Sequence, residues 1–481
     1  MSETWSVDEH LADILRSVRP LEPIELQLLD AQGCVLVEDV LVPVSLPPFD
    51  NSSMDGYAVR VADVAGASED DPAVLRVVGD VAAGTGRAPE VGPGQAARVM
   101  TGAPLPPGAE AVVPVEWTDG GTGGGPAEAM AAHRADPSGA GGGVRVHRPA
   151  EARQYVRDKG SDVRAGSVAL TAGTVLGPAQ IGLLAAIGQG TVTVRPRPRV
   201  VVLSTGSELV PPGSPLGHGQ IHDSNSFALT AAARAAGAIA YRVGAVADDA
   251  PALREVIEDQ LVRADAVVTS GGVSVGAYDV VKEALSDLAG TALGGAEPVR
   301  PGDEHEHGDG DSAEPAATAA ATDAAEGSEA ASAPARTPAR GVEFRRLAMQ
   351  PGKPQGFGLV GPDGTPLFAL PGNPVSSYVS FELFVRPALR TLMGLEPVSR
   401  PTVRARVECD GPLTSPDGKR QFLRGRYTPP APGEKTGTVR PAGGAGSHLT
   451  ASLARADALI VVPEQTTGVA RGDELEVVLL E

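Results

Sequence analysis

Three segments of this chain share one design, a short apolar run followed at once by a glycine-rich turn. They are Val201-Val-Leu-Ser-Thr-Gly-Ser-Glu-Leu209, Val267-Val-Thr-Ser-Gly-Gly-Val-Ser-Val-Gly276 and Leu367-Phe-Ala-Leu-Pro-Gly-Asn-Pro-Val-Ser376. Each reads as a buried strand that passes through its turn into a helix. In an open parallel sheet such turns gather at the carboxyl ends of the strands, the edge where ligands bind. Glycine lets backbone N–H groups approach an anion, and serine and threonine add hydroxyl donors. The pattern predicts a phosphate-type site built from Ser204, Thr205, Gly206, Ser270, Gly271, Gly272, Ser274, Pro371, Gly372 and Asn373. One such turn alone is more often a plain tight turn; three in one domain favour a site. The chain has no G-x-x-x-x-G-K-[ST], which excludes a P-loop NTPase, and no G-x-G-x-x-G opening a helix with an acid about 20 residues on, which disfavours a dinucleotide oxidoreductase.

The second feature is acidic. Glu208 follows the first turn, Asp248 follows another strand, and Asp279 lies just beyond the second turn. Carboxylates beside an anion site repel one another and the anion, and a hard divalent cation resolves that conflict. Mg²⁺ on Glu208, Asp248 and Asp279 is the expectation; the alternative for each acid is a helix cap or a solvated surface position. Lys282 and Lys353 are candidate point charges for the anion, or else solubilising surface residues. Lys353 is the stronger candidate, because Pro351 and Pro354 restrict the backbone around it.

The elements that must position these residues alternate strand and helix. Arg199–Leu203, Ala240–Ala245, Ala264–Thr269 and Pro366–Leu370 read as strands, and 227–236, 250–263, 279–288 and 375–393 as helices. That order predicts an α/β domain with a mostly parallel sheet. Upstream, Ser6–Val18 reads as an amphipathic helix with Ser6 as N-cap and Glu9 as its capping-box partner. Residues 74–115 read as short strands in an all-β subdomain, 119–143 as a flexible Gly/Ala-rich insertion, and 397–481 as a small β domain. Residues 290–340 hold almost no large apolar side chain and cannot offset their ordering entropy by burial, so disorder is expected.

The formal net charge is −20, which argues against nonspecific nucleic-acid or anionic-membrane binding. Two cysteines exclude a disulfide framework, and the acidic start is no signal peptide. With no run long enough to span a membrane, a cytoplasmic location is expected.

Seven segments, read together, resemble the molybdopterin molybdenumtransferases, the family that includes the gephyrin E domain. These are Phe49-Asp-Asn-Ser-Ser-Met-Asp-Gly-Tyr-Ala58, Met100-Thr-Gly-Ala-Pro104, Ser204-Thr-Gly-Ser-Glu-Leu209, Gly219-Gln-Ile-His-Asp-Ser-Asn225, Ser270–Gly276, Gln350-Pro-Gly-Lys-Pro354 and Leu370–Ser376. The resemblance implies an elongated N-terminal domain (1–46 and 147–178), an inserted β subdomain (47–146), a molybdopterin-binding α/β domain (179–396) and a C-terminal β barrel (397–481). It implies catalytic roles for Asp55, Thr101, Asp162 and Glu208, metal ligation by Glu208, Asp248 and Asp279, and a ligand-lining loop at Pro351, Lys353 and Pro354. It further implies a homodimer with an intersubunit site, and a Mg²⁺-dependent reaction of adenylylated molybdopterin with molybdate that releases AMP. Molybdopterin adenylyltransferase and recipient molybdoenzymes are the expected partners. Ala277 stands where the family often has Glu, and the insertions at 119–143 and 290–340 are long. Two rival readings are a gephyrin-like scaffold, for which no fused partner-binding module is visible, and a molybdopterin adenylyltransferase, which lacks the Met-Asp-Gly-Tyr-Ala loop and the C-terminal β domain.

Overall fold

The computed structural model describes residues 4–84, 87–130, 142–272, 281, 283–285 and 341–480. The predicted insertion at 290–340, its neighbours Ser274, Asp279 and Lys282, and Ala277 lie outside the described residues. Two compact units account for the chain: residues 1–21 with 197–481, and residues 22–196.

The first unit is built on a seven-stranded sheet in the order Thr4–Trp5, Gly341–Leu347, Pro354–Val360, Thr365–Leu370, Ala266–Ser270, Arg199–Thr205, Ile239–Val246. Arg199–Thr205 pairs in parallel with both neighbours, and Ala266–Ser270 pairs in parallel with Thr365–Leu370. Pro354–Val360 is antiparallel to the strands on either side of it. From Arg199–Thr205 the chain moves to one side, to Ile239–Val246, and then crosses to the other, to Ala266–Ser270. Such a reversal opens a crevice beyond the carboxyl ends of the strands.

Alternation along each strand divides the core. Val200 and Val202 pack with Leu229, Ala233 and Phe384 on one face, while Val201 and Leu203 pack with Leu253 and Ile257 on the other. With helices over both faces, the central strands are apolar throughout rather than alternating with polar residues. The helix expected over 375–393 is present, but Phe381–Val385 is a π-helical turn between Pro374–Ser380 and Arg386–Leu392. Pro387, which has no N–H to donate and crowds the preceding turn, follows the widened segment.

The helix at the start is Val7–Ser17, with the Ser6–Glu9 capping box in place: Ser6 N donates to Glu9 Oε2 at 2.7 Å and Glu9 N to Ser6 Oγ at 3.1 Å. Its place differs from the expectation of an N-terminal domain over 1–46. Thr4–Trp5 extends the seven-stranded sheet, and Val7, Ile14 and Val18 enter the core of the first unit. The helix buries its one apolar stripe where the larger core is.

The second unit also begins and ends elsewhere than the sequence suggests. The Pro178–Ala186 helix and the Thr191–Arg195 strand belong to it, because Leu184, Ile187, Val192 and Val194 share a core with Leu36 and Leu176. Its inserted part is a five-stranded sheet containing Gly56–Val59, Ala73–Val81, Gln95–Val99, Ala111–Pro114 and Gly143–Val146. The start of the 119–143 insertion is not free. Asp119 is buried, and its carboxylate accepts N–H bonds from Gly121 (2.9 Å), Gly123 (2.9 Å) and Arg145 (3.0 Å). Residues 131–141 lie outside the described residues.

Within the first unit, Thr402–Val407, Arg420–Thr428, Gly437–Pro441, Ala458–Val462 and Glu474–Leu479 close into a five-stranded barrel filled by Val407, Val439, Ile460 and Val477. Cys34 and Cys409 are both buried and form no disulfide with each other. Among the described residues no helix is long and apolar enough to cross a membrane.

His10 is a weak point of this packing in acid. It is 1% exposed, with its ring 4.8 Å from that of Phe384. Burial, and then the Arg345 charge, push its pKa down from 6.5 to about 3. Below pH 6.5 the unfolded chain binds a proton that the folded chain refuses, so this group's contribution to stability falls as pH drops from 6.5 towards 3. The slope approaches about 1.4 kcal/mol per pH unit. His10→Gln is expected to lose less stability than the parent between about pH 6 and pH 4, measured by urea unfolding at each pH.

Candidate functional site

The three glycine turns meet at the carboxyl edge of the sheet, around a cleft of about 1280 Å³. Thr205 and Gly206 come from the first turn, Ser270, Gly271 and Gly272 from the second, and Pro371, Gly372 and Asn373 from the third. Their roles differ from one another. Gly206 N–H donates to Val246 O (3.2 Å) and Gly271 N–H to Leu370 O (3.1 Å), so these two donors tie the turns to neighbouring strands. Gly272, Gly372 and Asn373 have no hydrogen bond from their N–H groups among the described residues, which leaves these donors for a ligand. The Thr205 hydroxyl is likewise buried without a partner among the described residues. Gly271 has φ +106°, and a Cβ there would stand 2.4 Å from Thr205 O, so the first and second turns are in backbone contact.

Two of the serines expected to bind substrate make hydrogen bonds within the wall of the cleft. Ser204 is buried, does not line the cleft, and gives its hydroxyl to Asp223 Oδ1 at 2.9 Å. Ser270 Oγ accepts from Asn225 Nδ2 (2.8 Å) and lies 3.2 Å from both Pro371 O and Ser377 Oγ. Asp223 is 2% exposed and takes the Ser226 N–H (3.1 Å) and hydroxyl, which fixes the start of the Asn225–Ala235 helix.

Glu208 and Asp248 both line the cleft and are exposed to it. The Glu208 carboxylate folds back over Gly206, where a Cβ would come within 2.6 Å of Oε2. Asp248 Oδ2 accepts the Ser207 N–H (3.1 Å), and Ser207 Oγ accepts the Asp248 N–H (3.3 Å). The helix cap that was the alternative role for Asp248 belongs to Asp249, which accepts from Ala252 N at 2.9 Å. The two acids offer hard oxygen donors of the kind Mg²⁺ takes. Among the described residues no group of three or more acids, histidines or cysteines is placed to hold a metal, and the third expected acid, Asp279, is not among them.

Gln350–Pro354 brings Pro351, Lys353 and Pro354 to the cleft, with Lys353 exposed and its carbonyl accepting the Leu347 N–H at 2.8 Å. Gly446, Ser447 and His448 arrive from the barrel domain. Arg424 donates to Gly446 O (3.1 Å), and Val375 N to Ser447 O (3.0 Å). No spacing in the sequence signals this loop, because only tertiary packing brings it here. Asn225 and Asp223 lie in a segment whose pattern is distinctive, but nothing in that pattern assigns their roles.

In the second unit, Asp55 and Thr101 form a pair: Asp55 Oδ1 accepts from Thr101 N (2.6 Å) and Thr101 Oγ1 (2.9 Å). Asp162 is exposed on a different turn, with its N–H on Leu46 O at 3.0 Å.

Residues 5–188 match the MoeA N-terminal region (domain I and II), 201–335 and 319–391 the probable molybdopterin binding domain, and 406–480 the MoeA C-terminal region (domain IV). Over 472 residues the chain is 41% identical to molybdopterin molybdenumtransferase 2 of Mycobacterium tuberculosis, with 98% of each chain covered. The chain belongs to the molybdopterin molybdenumtransferase family. It is thus a transferase of molybdenum cofactor biosynthesis. Molybdopterin molybdenumtransferase 1 of the same organism is 37% identical over 492 residues, covering 99% of both chains. A solved structure of the molybdopterin biosynthesis MoeA protein from Pyrococcus horikoshii aligns over 100% of each chain with a TM-score of 0.67 and 28% identity. The family matches flank the α/β domain on both sides, with the MoeA N-terminal region before it and the MoeA C-terminal region after it.

The contact between turns makes Gly271 a sensitive point of this cleft. Gly271→Ala must both adopt a left-handed backbone and displace Thr205. A loss of about 2 kcal/mol or more is expected in urea unfolding, whereas Gly411→Ala, where a Cβ meets nothing within 4 Å, is expected to cost far less.

Proposed function

We propose that the chain inserts molybdate into adenylylated molybdopterin with Mg²⁺-dependent release of AMP. The observation that carries this reading is the convergence, at one sheet edge, of open backbone donors at Gly272, Gly372 and Asn373, two carboxylates at Glu208 and Asp248, and the Lys353 cation. Such a set fits a substrate whose two phosphate groups are joined in the phosphoanhydride that is to be broken.

The glycine turns hold the phosphate groups through N–H donors and the Thr205 hydroxyl, and Lys353 adds a point charge. Glu208 and Asp248, with Asp279, are the residues that would hold Mg²⁺, whose charge offsets that of the phosphoanhydride when bound. Molybdate enters the dithiolene and AMP leaves. Positioning and charge stabilisation by pre-set dipoles, rather than a covalent nucleophile, carry the rate. The working form in this reading is a cytoplasmic homodimer, in which the Asp55–Thr101 pair and Asp162 of one subunit complete the cleft of the other.

The test is AMP release from adenylylated molybdopterin and Mg²⁺, with and without molybdate. Release that depends on molybdate is expected, with at least a ~100-fold loss in Glu208→Ala, Asp248→Ala and Asp279→Ala. Binding without AMP release would replace this reading with a carrier or scaffold role. Asp55→Ala is expected to lose activity while still folding, and mixing it with Glu208→Ala to restore part of the activity through hybrid dimers. Absence of restoration would count against a shared site.

A further inference from the structure

The second and third glycine turns follow strands paired side by side, and the backbone link from Gly271 N–H to Leu370 O (3.1 Å) joins them where the ladder ends. One side chain spans them. Asn225, the first residue of the Asn225–Ala235 helix, donates from the same Nδ2 to Ser270 Oγ at 2.8 Å and to Gly372 O at 2.7 Å. Ser270 Oγ sits in turn 3.2 Å from Pro371 O, so the third turn is reached twice through this cluster. The helix that carries Asn225 is itself anchored, because Asp223 accepts from Ser226 N and holds the Ser204 hydroxyl of the first strand. The first strand therefore reaches the gap between the other two turns through Asp223, the helix start and Asn225.

We propose that Asn225 is a positioning residue that sets the separation of the second and third glycine turns, and with it the fit of the cleft to the phosphate groups of its substrate. The proposal rests on reading the cleft as the molybdopterin site. Gly272 and Gly372, whose N–H groups make no hydrogen bond among the described residues, belong to the two turns that this clamp joins. A two-donor amide suits this position, since its NH₂ group serves two acceptors at once, one per hydrogen. A carboxylate of the same shape offers only acceptors and would face the Gly372 carbonyl with like charge. Because the clamp sets a binding geometry that substrate and transition state use alike, its loss falls on KM more than on kcat.

The experiment compares the parent with Asn225→Asp, Asn225→Ala, Ser270→Ala and the Asn225→Ala/Ser270→Ala double variant in the full-length protein. Two readouts are taken: hydrogen–deuterium exchange of the peptides covering 267–272 and 367–376, and steady-state molybdate-dependent AMP release. Exchange is read without substrate, so failure of the proposed reaction leaves the clamp itself testable. Asn225→Asp is expected to speed exchange in both peptides while distant peptides of the barrel keep the parent rate. It is also expected to raise KM for adenylylated molybdopterin by about tenfold, with kcat within about threefold. Asn225→Ala and Ser270→Ala are expected to be non-additive, since both remove the Asn225–Ser270 bond. Unchanged exchange and KM in Asn225→Asp would overturn the proposal, as would a fall in kcat at constant KM. If Asn225→Asp fails to fold, the two alanine variants and their coupling decide, and additive effects would overturn it.

Discussion

The parallel pairing of Arg199–Thr205 with a strand on each side is the constraint on which the rest of the cleft depends. It sends the carboxyl ends of these strands to the same edge, and with them the turns that follow. Both faces of the strand are covered, Val200 and Val202 by one core and Val201 and Leu203 by the other, so its register is held by packing from two sides. A slip of one residue would exchange the two sets and move every turn along the edge.

On that frame the turns divide their work. Some donors face inwards: Gly206 and Gly271 bind neighbouring strands, while Ser204 and Ser270 brace the wall. Others face the cleft, where buried groups without partners favour a polar guest. Buried polar groups are normally paired, and the Thr205 hydroxyl, buried beside the cleft without a partner among the described residues, keeps a hydrogen bond to give. Asp248 follows the same logic, since Ser207 fixes its orientation without burying its carboxylate.

The terminal segments follow from where apolar surface can be buried. Residues 4–18 leave their neighbours in sequence to join the larger core, and the barrel domain lends a loop to the cleft through Arg424 and Ser447. Neither arrangement has a local signal, because a helix with an apolar stripe looks the same wherever its partner lies.

The sequence by itself determined the strand–turn–helix grammar, the Ser6–Glu9 cap, the three glycine-rich turns, the carboxylates Glu208 and Asp248 beside them, and the family. Those features are local: periodicity, capping and turn chemistry act over a few residues. Tertiary structure decided which donors remain open, because a hydroxyl such as Ser270 Oγ is free or occupied only once Asn225 and Pro371 have been brought beside it. It also moved Val7–Ser17 into the α/β unit and Pro178–Ala186 out of it, since burial is settled by the partner surface and not by the order of the chain.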